Sequence, residues 1–170
     1  LRRLDGGERI ALVSDAGLPG VNDPGGRLVA AAIGAGELVT VLPGPSAVET
    51  SLVASGLLAD EYRFIGYLPR RDAERRALAE ELAGYAGSVV AFESPRRLPA
   101  SLAVLAGSMP DRPGAVCREL TKRFEEVAHG TVAELAERFA EPPRGEITVV
   151  IGPGGGAAGS AGTAEAEQAV

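Results

Sequence analysis

The sequence predicts an α/β protein, because short apolar runs typical of buried strands alternate with segments of helical periodicity. "RIALVS" (9–14) and "LVTVL" (38–42) are each followed by a helical segment, at 25–36 and 47–56 respectively. The order strand, helix, strand, helix favours parallel pairing within an α/β sheet. A second series of the same kind begins at "YRFIGYL" (62–68). The pattern therefore predicts two α/β units in one chain.

The second series is longer than the first, and its helices carry recognisable start signals. Thr131 precedes a helix and Glu134 follows three residues later, which is the pattern of a capping box. Ser46 and Glu49 show the same spacing in the first unit. The elements predicted for the second unit are strand 62–68, helix 70–85, strand 88–93, helix 94–107, strand 114–120, helix 131–140 and strand 145–152.

The domain organisation follows from this count of elements. Residues 1–59, with a boundary near Asp60, supply only two strands, whereas an open sheet usually has more. The first α/β domain is therefore expected to be incomplete, and 60–152 are expected to form a second one. The tail 153–170 contains "GGGAAGSAGTAEAEQAV" and is predicted to be disordered or a linker.

Composition excludes several classes of protein. The chain has 170 residues and a net charge of −6, so a basic footprint over its whole surface is absent, although local clusters remain possible. Its one cysteine, Cys117, excludes an intrachain disulfide. His129 is the one histidine, and no metal-ligand spacing is present, so no metal site is expected. Without a signal sequence or an apolar run of membrane-spanning length, the expected location is the cytoplasm.

Three loops follow predicted strands and are candidates for ligand binding, because ligands of α/β sheets bind beyond the carboxyl ends of strands. They are "SDAGLPGVNDPG", "PGPSA" and "ESPRR". No Walker or dinucleotide-binding pattern occurs in them. Asp15 is placed to accept hydrogen bonds from a ligand, but Asp15 and Asp23 are equally placed to organise turns. "PGPS" is compatible with a simple helix cap as well as with a ligand loop.

Two charged segments leave a similar choice open. "LPRRDAERR" (68–76) is either a solvated helix face or a phosphate-binding patch. "RELTKRFEE" (118–126) has too few apolar positions for a buried helix and is expected to be a charged loop, serving either a ligand cleft or a salt-bridge scaffold.

Longer motifs, taken together, resemble a known family. They are, in chain order, "ALVSDAGLPGVNDPGGRLV", "LPGPSAVETSLVASGL", "GYLPRR", "FESPRRL", "RELTKRFEEV" and "PPRGEITVV". Over residues 8–152 the order and spacing are similar to those of the ribosomal RNA small subunit methyltransferase I group, within the tetrapyrrole (corrin/porphyrin) methylase superfamily. The chain departs from the group's usual pattern at Leu18, Asn22 and Arg96, where threonine, serine and histidine are usual. It also lacks the group's opening motifs and is expected to be truncated at both ends.

The resemblance implies a class III methyltransferase of two α/β domains, with S-adenosyl-L-methionine in the cleft between them. It implies the 2′-hydroxyl of a cytidine in the decoding region of small-subunit ribosomal RNA as substrate, the 30S subunit as partner and a homodimeric enzyme. A tetrapyrrole methylase of the same superfamily, or a non-catalytic fragment that binds RNA or a protein, are the alternatives.

The resemblance also implies which residues form the site. The positions implied for the cofactor are Asp15, Leu18, Ser46, Ala47, Phe92, Leu120 and Glu146. The candidate RNA contacts are Arg70, Arg71, Arg96 and Arg97, because arginine suits phosphates and unpaired RNA. Methyl transfer to a hydroxyl also needs a proton acceptor. The candidates for that acceptor, among which the sequence does not choose, are Glu93, Glu119, Lys122 and Glu125.

Overall fold

The computed structural model describes residues 1–14, 17–22 and 24–154. The chain divides into two compact units, Leu1–Thr50 and Ser51–Val170. This division falls before the boundary expected near Asp60. The tail predicted from residue 153 lies, from residue 155 onward, outside the described residues.

The first unit contains helices α1 (Arg2–Asp5) and α2 (Gly26–Gly34) and the start of α3 (Ala47–Ser55). The helices predicted at 25–36 and 47–56 are confirmed. Helix α2 begins after Gly25, whose φ of 130° lies outside the range that other residues adopt easily. At the start of α3, the Ser46 hydroxyl donates to the Glu49 carboxylate, so the two residues of the predicted capping pattern interact.

The strands predicted at 9–14 and 38–42 are wrong for this structure, because neither segment pairs with a neighbour among the described residues. Their apolar side chains are exposed, with Val13 at 81%, Leu38 at 92% and Leu42 at 79%. Apolar composition predicts that a segment prefers burial, but a strand forms only where a second strand accepts and donates its main-chain hydrogen bonds.

The second unit is built around one five-stranded sheet covered by helices. Its strands are β1 (Tyr62–Tyr67), β2 (Ser88–Glu93), β3 (Pro113–Arg118), β4 (Glu126–Thr131) and β5 (Ile147–Ile151). Its helices, besides the end of α3, are α4 (Asp72–Ala83), α5 (Leu98–Ser108) and α6 (Val132–Arg138). All four predicted strands and three predicted helices of this unit are present, whereas β4 had not been predicted.

The sheet has the strand order β1-β2-β5-β3-β4. Only β1 and β2 run parallel, because α4 carries the chain back between them. Strand β5 lies between β2 and β3 and is antiparallel to both. Strands β3 and β4 form an antiparallel hairpin whose connecting loop is residues 119–125. The sheet is therefore mixed, which the strand–helix alternation alone did not predict.

The core lies between the sheet and the helices α4, α5 and α6. Central strands β2 and β5 are buried along almost their whole length, as their unbroken apolar runs predict. Leu82, Leu102 and Leu135 project one from each helix into the same cluster and are each at most 1% exposed. Burying such a side chain stabilises the fold by roughly 1.5–3 kcal/mol. Cys117 lies in β3, where burial raises the pKa of its thiol to about 11.

Helix boundaries follow local hydrogen bonding. The predicted capping box of α6 is confirmed, because the Thr131 side chain accepts from the Glu134 main chain and the Glu134 carboxylate accepts from Thr131 N. Helix α5 begins at Leu98, later than the predicted start at residue 94. Residues 95–97 form a turn instead, in which Arg97 N and Leu98 N both donate to Ser94 O at 3.0 Å.

Candidate functional site

The register of the sheet brings several loops to one edge of the second unit. The last residue of β2, Glu93, and the last residue of β3, Arg118, both pair with Ile147 at the start of β5. Glu126 begins β4 opposite Arg118, and the parallel strand β1 ends at Tyr67 beside the end of β2. We call the four segments that leave the sheet here the loop edge. It consists of residues 68–71, 94–97, 119–125 and 144–146.

The loop edge concentrates uncompensated positive charge. The exposed arginines of the second unit that lie elsewhere pair with carboxylates, as Arg63 does with Glu81 and Arg76 with Asp72. In the described part of this unit, every exposed arginine without an ion pair lies at the loop edge. These residues are Arg70, Arg96, Arg123 and Arg144. The described part of the second unit therefore presents a locally basic edge, within a chain whose net charge is −6.

A buried carboxylate joins two segments of this edge. The Glu93 side chain is fully buried, and its Oε1 lies 2.5 Å from Arg97 Nη2 and 2.6 Å from Ser94 N. Its Oε2 accepts from Ser101 Oγ at 2.5 Å. Arg97 Nη1 also donates to Leu68 O at 3.2 Å. The Glu93–Arg97 pair thus fastens the segment after β2 to the segment after β1, and both Glu93 oxygens have partners.

The β3–β4 loop is held in a strained shape by a small charge network. Glu119 and Thr121 have φ angles of 51° and 64°, in the left-handed region that such residues rarely adopt. Lys122 Nζ lies 3.2 Å from Glu119 Oε1 and 2.8 Å from Glu146 Oε2. The main-chain N–H of Glu146 donates to Glu119 Oε1 at 2.8 Å. These contacts connect the β3–β4 loop to the segment before β5.

The same contacts shift two pKa values in opposite directions. Hydrogen bonds from the Glu146 main chain and from Lys122 lower the pKa of Glu119. Hydrogen bonds to Glu146 and Glu119 raise the pKa of Lys122 above its usual range. Near neutral pH Lys122 is therefore a cation and Glu119 an anion.

The end of this loop carries an aromatic side chain that sequence reasoning had not selected. Phe124 is 64% exposed, and the guanidinium carbon of Arg123 lies 5.4 Å from the centre of its ring. The signal was present in "KRFEE", where one aromatic residue stands among charges, but the segment had been interpreted only as a charged loop.

In the first unit, the two glycine- and proline-rich loops approach one another. Gly17 has a φ of 78°, and a Cβ on it would lie 3.3 Å from Pro45 O, so its bare main chain is packed beside the "PGPS" loop. Ser14 Oγ donates to Gly17 O at 3.0 Å. Leu18 and Ser46 are half-buried in these loops, and Ala47 at the start of α3 is exposed. Asp15 and Asp23 lie outside the described residues.

Comparison with known proteins gives the family. A sequence profile described as "Tetrapyrrole (Corrin/Porphyrin) Methylases" matches residues 1–136. The chain belongs to the tetrapyrrole methylase family. It is 54% identical over 155 residues to ribosomal RNA small subunit methyltransferase I of Mycobacterium tuberculosis strain H37Rv, covering 89% of the chain and 53% of that protein. It is 40% identical over 149 residues to the Bacillus subtilis protein of the same name, with 87% and 51% covered. The chain thus spans about half the length of the curated relatives it matches.

Solved structures of methylases show the same fold. The methyltransferase CobJ superimposes with a TM-score of 0.67 at 19% identity, over 89% of this chain and 67% of that one. A Thermus thermophilus uroporphyrin-III C-methyl transferase, solved in complex with S-adenyl homocysteine, gives 0.54 at 23% identity, over 80% and 62%. The resemblance and the methylase fold expected from the sequence are therefore confirmed.

Within this methylase fold, the predicted cofactor positions of the second unit lie at or near the loop edge. Phe92, in β2, packs edge to face against Phe64 and Tyr67, with ring centres 5.0 and 5.7 Å away. Leu120 is half-buried in the β3–β4 loop, and Glu146 is exposed directly before β5. Their role, like that of Leu18, Ser46 and Ala47, stays a prediction.

The positions predicted as RNA contacts also lie at the loop edge, but they differ in whether their guanidinium groups are already paired. Arg70 and Arg96 are exposed without an ion pair, and Arg71 lies 3.2 Å from Glu74. Arg97 is held by Glu93 and is only partly exposed. Sequence reasoning had not counted Arg123 and Arg144 as RNA contacts, since only the sheet register shows that they share an edge with Arg70 and Arg96.

Two further findings concern metal binding and membrane-spanning helices in the described part of the chain. No group of three or more histidine, cysteine, aspartate or glutamate side chains is arranged there to hold a metal ion. None of the helices in residues 1–14, 17–22 and 24–154 is long and apolar enough to cross a membrane.

Proposed function

We propose that this chain takes part in the methylation of small-subunit ribosomal RNA, with S-adenosyl-L-methionine as methyl donor and a cytidine 2′-hydroxyl in the decoding region as acceptor. The observation that carries the proposal is the loop edge, where every exposed arginine of the described second unit that lacks an ion pair is collected. The names of the relatives, which are ribosomal RNA methyltransferases, support an RNA substrate.

RNA is the ligand that suits such an edge. Arginine binds phosphate through a planar fork of N–H groups and stacks on exposed bases, and both properties favour single-stranded or looped RNA. The acidic remainder of the chain opposes nonspecific binding elsewhere, since it repels the phosphate backbone. The edge therefore favours one direction of approach for the RNA.

The residues present fit S-adenosyl-L-methionine in chemical character. Ser46 and Ala47 stand at the N-terminus of α3, the positive end of the helix dipole, which suits the carboxylate of the cofactor. The bare main chain of Gly17 lies beside the "PGPS" loop, so the loop with Leu18 and the loop with Ser46 stand next to one another. When bound, the cofactor supplies an electrophilic methyl group, and these residues of the chain bind and orient it. The fold neighbour that holds S-adenyl homocysteine supports this choice of cofactor.

Transfer to a hydroxyl oxygen releases a proton that a side chain must accept. The four candidate side chains differ in their burial and in the partners that they already bind. Lys122 is protonated near neutral pH and is therefore a cation for binding, and Glu93 is buried with both oxygens bonded. Glu119 and Glu125 remain as carboxylates of the β3–β4 loop, where Glu125 is exposed and its Oε2 accepts from Thr121 N. We place the proton acceptor among these two and favour Glu125, because the hydrogen bonds that lower the pKa of Glu119 weaken that carboxylate as a base.

The cellular setting follows from the substrate. An enzyme that methylates small-subunit ribosomal RNA meets its substrate in the cytoplasm, on the 30S subunit. The resemblance to the family also implies that the enzyme is a homodimer. Sedimentation of the purified chain tests the dimer directly.

Two measurements test the function. Titration calorimetry with S-adenosyl-L-methionine should give saturable binding, and Asp15→Ala should weaken it by roughly 5- to 100-fold through loss of a charged hydrogen-bond acceptor. Transfer of a labelled methyl group to small ribosomal subunits, taken from cells that lack their own methyltransferase I, should then place the label on ribosomal RNA. The matched control is Asp5→Ala, at the end of α1, which should bind the cofactor as the parent does.

Each measurement can contradict a different part of the proposal. Absence of any heat of binding would contradict the cofactor assignment. Intact cofactor binding without label on ribosomal RNA would contradict the substrate.

A further inference from the structure

Phe124 differs from the other phenylalanines of the chain. Phe139 is 6% exposed, and Phe64 and Phe92 are half-buried and pack against one another. Phe124 is 64% exposed at the end of the β3–β4 loop. A solvent-exposed ring on a loop does not contribute to packing of the core, so packing does not account for a phenylalanine at this position. A large exposed aromatic surface is typical of a binding site.

The loop that carries Phe124 is held firmly. Lys122 is bonded to both Glu119 and Glu146, and Thr121 N donates to the Glu125 carboxylate. The left-handed φ angles of Glu119 and Thr121 cost free energy that these contacts offset. A ring presented by such a loop loses little conformational entropy when a ligand binds to it.

The surroundings of Phe124 indicate the charge of that ligand. Arg123 lies against the ring, with its guanidinium carbon 5.4 Å from the ring centre. Arg70, Arg96 and Arg144 leave the sheet at the same edge and form no ion pair among the described residues. An exposed aromatic face in contact with one arginine, at the same end of the sheet as three further unpaired arginines, suits a ligand that is planar, anionic and extended.

We propose that Arg123 and Phe124 form a stacking site for one unpaired base of the RNA, with phosphates further along the same strand held by the other arginines of the loop edge. An unpaired nucleotide combines a π face with a phosphate, and aromatic rings and guanidinium groups are the usual partners of splayed RNA bases. The inference rests on the proposed function and adds a base-binding element to it. A second copy of the chain, or another protein, is the competing occupant of the ring.

The test measures binding of a fluorescein-labelled oligocytidylate of about eight nucleotides, a length within the range of single-strand sites. Its partner probe has the same sugar–phosphate backbone without bases. Phe124→Ala should weaken binding of the oligocytidylate roughly 5- to 100-fold, the usual effect of losing one stacked base, and leave binding of the abasic strand unchanged. Phe124→Trp should restore the affinity, whereas Arg123→Ala should weaken binding of both strands.

Tyr62→Ala is the matched control, because Tyr62 is an exposed aromatic residue at the opposite end of β1. It should bind both strands as the parent chain does, and circular dichroism confirms that each variant folds. Equal affinity of Phe124→Ala and the parent for the oligocytidylate overturns the stacking site. So does an equal loss of affinity for both strands, or a change confined to sedimentation, which would assign the ring to a protein contact.

The failure of this inference is distinct from failure of the proposed function. If the parent chain labels ribosomal RNA and Phe124→Ala binds the oligocytidylate normally, only the stacking site is wrong. If the parent chain binds neither strand, the RNA function and the stacking site fail together.

Discussion

Arg112 shows how one residue holds distant parts of the second unit together. Its side chain is 7% exposed, and it donates to three main-chain carbonyls instead of to a carboxylate. The acceptors are Leu82 O at 2.6 Å, Gly152 O at 2.7 Å and Gly87 O at 2.8 Å. These lie at the end of α4, just after β5 and just before β2. Burial lowers the pKa of Arg112, while the three carbonyls compensate the loss of water.

Removing this guanidinium should destabilise the unit strongly. We expect Arg112→Met to lower the free energy of unfolding by about 2–4 kcal/mol, because it leaves buried carbonyls without donors. Arg112→Lys should recover part of the loss, since one ammonium group does not span three carbonyls. Urea unfolding monitored by circular dichroism measures both. A loss below about 0.5 kcal/mol, the size typical of exposed positions, would contradict the conclusion that the Arg112 hydrogen bonds stabilise the second unit.

At the scale of an element, the β3–β4 loop should respond to pH. Glu119 has a lowered pKa in the folded chain, so its contribution to stability is present above its usual value of 4.5. That contribution is lost as the pH falls through the lower, folded-state pKa, because the carboxylate becomes protonated and releases Lys122. The stabilisation should therefore be complete at pH 7 and absent in strong acid.

The experiment compares the parent chain with Glu119→Gln by urea unfolding across the acid range. The difference in unfolding free energy should be constant near neutrality. It should disappear below the folded-state pKa of Glu119, because the Glu119 side chain of the parent chain is then as uncharged as the glutamine. Lys122→Met, which removes one of the groups that lower this pKa, should make the pH dependence shallower. A difference that does not change with pH would mean that the charge of Glu119 does not hold the loop.

For the molecule as a whole, the arrangement of charge matters more than its sum. Exposed arginines of the second unit that lie away from the loop edge form ion pairs with nearby carboxylates, as Arg63 does with Glu81. Those of the loop edge that form no ion pair in the described residues remain available to phosphate. A negative total charge and RNA binding are therefore compatible.

Salt dependence distinguishes this arrangement from diffuse attraction. Arg70→Ala/Arg96→Ala should reduce the slope of log affinity against log salt for single-stranded RNA by about 1.4, since each lost phosphate contact contributes roughly 0.7. Arg63→Ala/Arg76→Ala removes two paired arginines elsewhere in the unit and should leave the slope unchanged. Fluorescence anisotropy at several salt concentrations measures both slopes. The same slope change in both double variants would contradict a localised RNA edge.

The two kinds of strand show why sequence prediction succeeded in one place and failed in another. Strands β2 and β5 were predicted because central strands, covered on both faces, need unbroken apolar runs. Strand β4 was missed because it pairs with β3 alone, at the edge of the sheet, and "EVAHGT" has only two apolar side chains, Val127 and Ala128. Residues 9–14 have the composition of a strand but no pairing partner among the described residues.

Local sequence determined the positions of the helices and central strands of the second unit, the loops that follow them and the methylase family to which the chain belongs. These properties depend on short-range periodicity, capping and motif spacing, which a linear sequence contains in full. Only the tertiary structure decided that Arg123 and Arg144 lie at the loop edge together with Arg70 and Arg96. It also decided that the buried Glu93 carboxylate pairs with Arg97 and that Phe124 is exposed to solvent. Those facts depend on which strands pair and in what register, and pairing is a property of segments far apart in the chain.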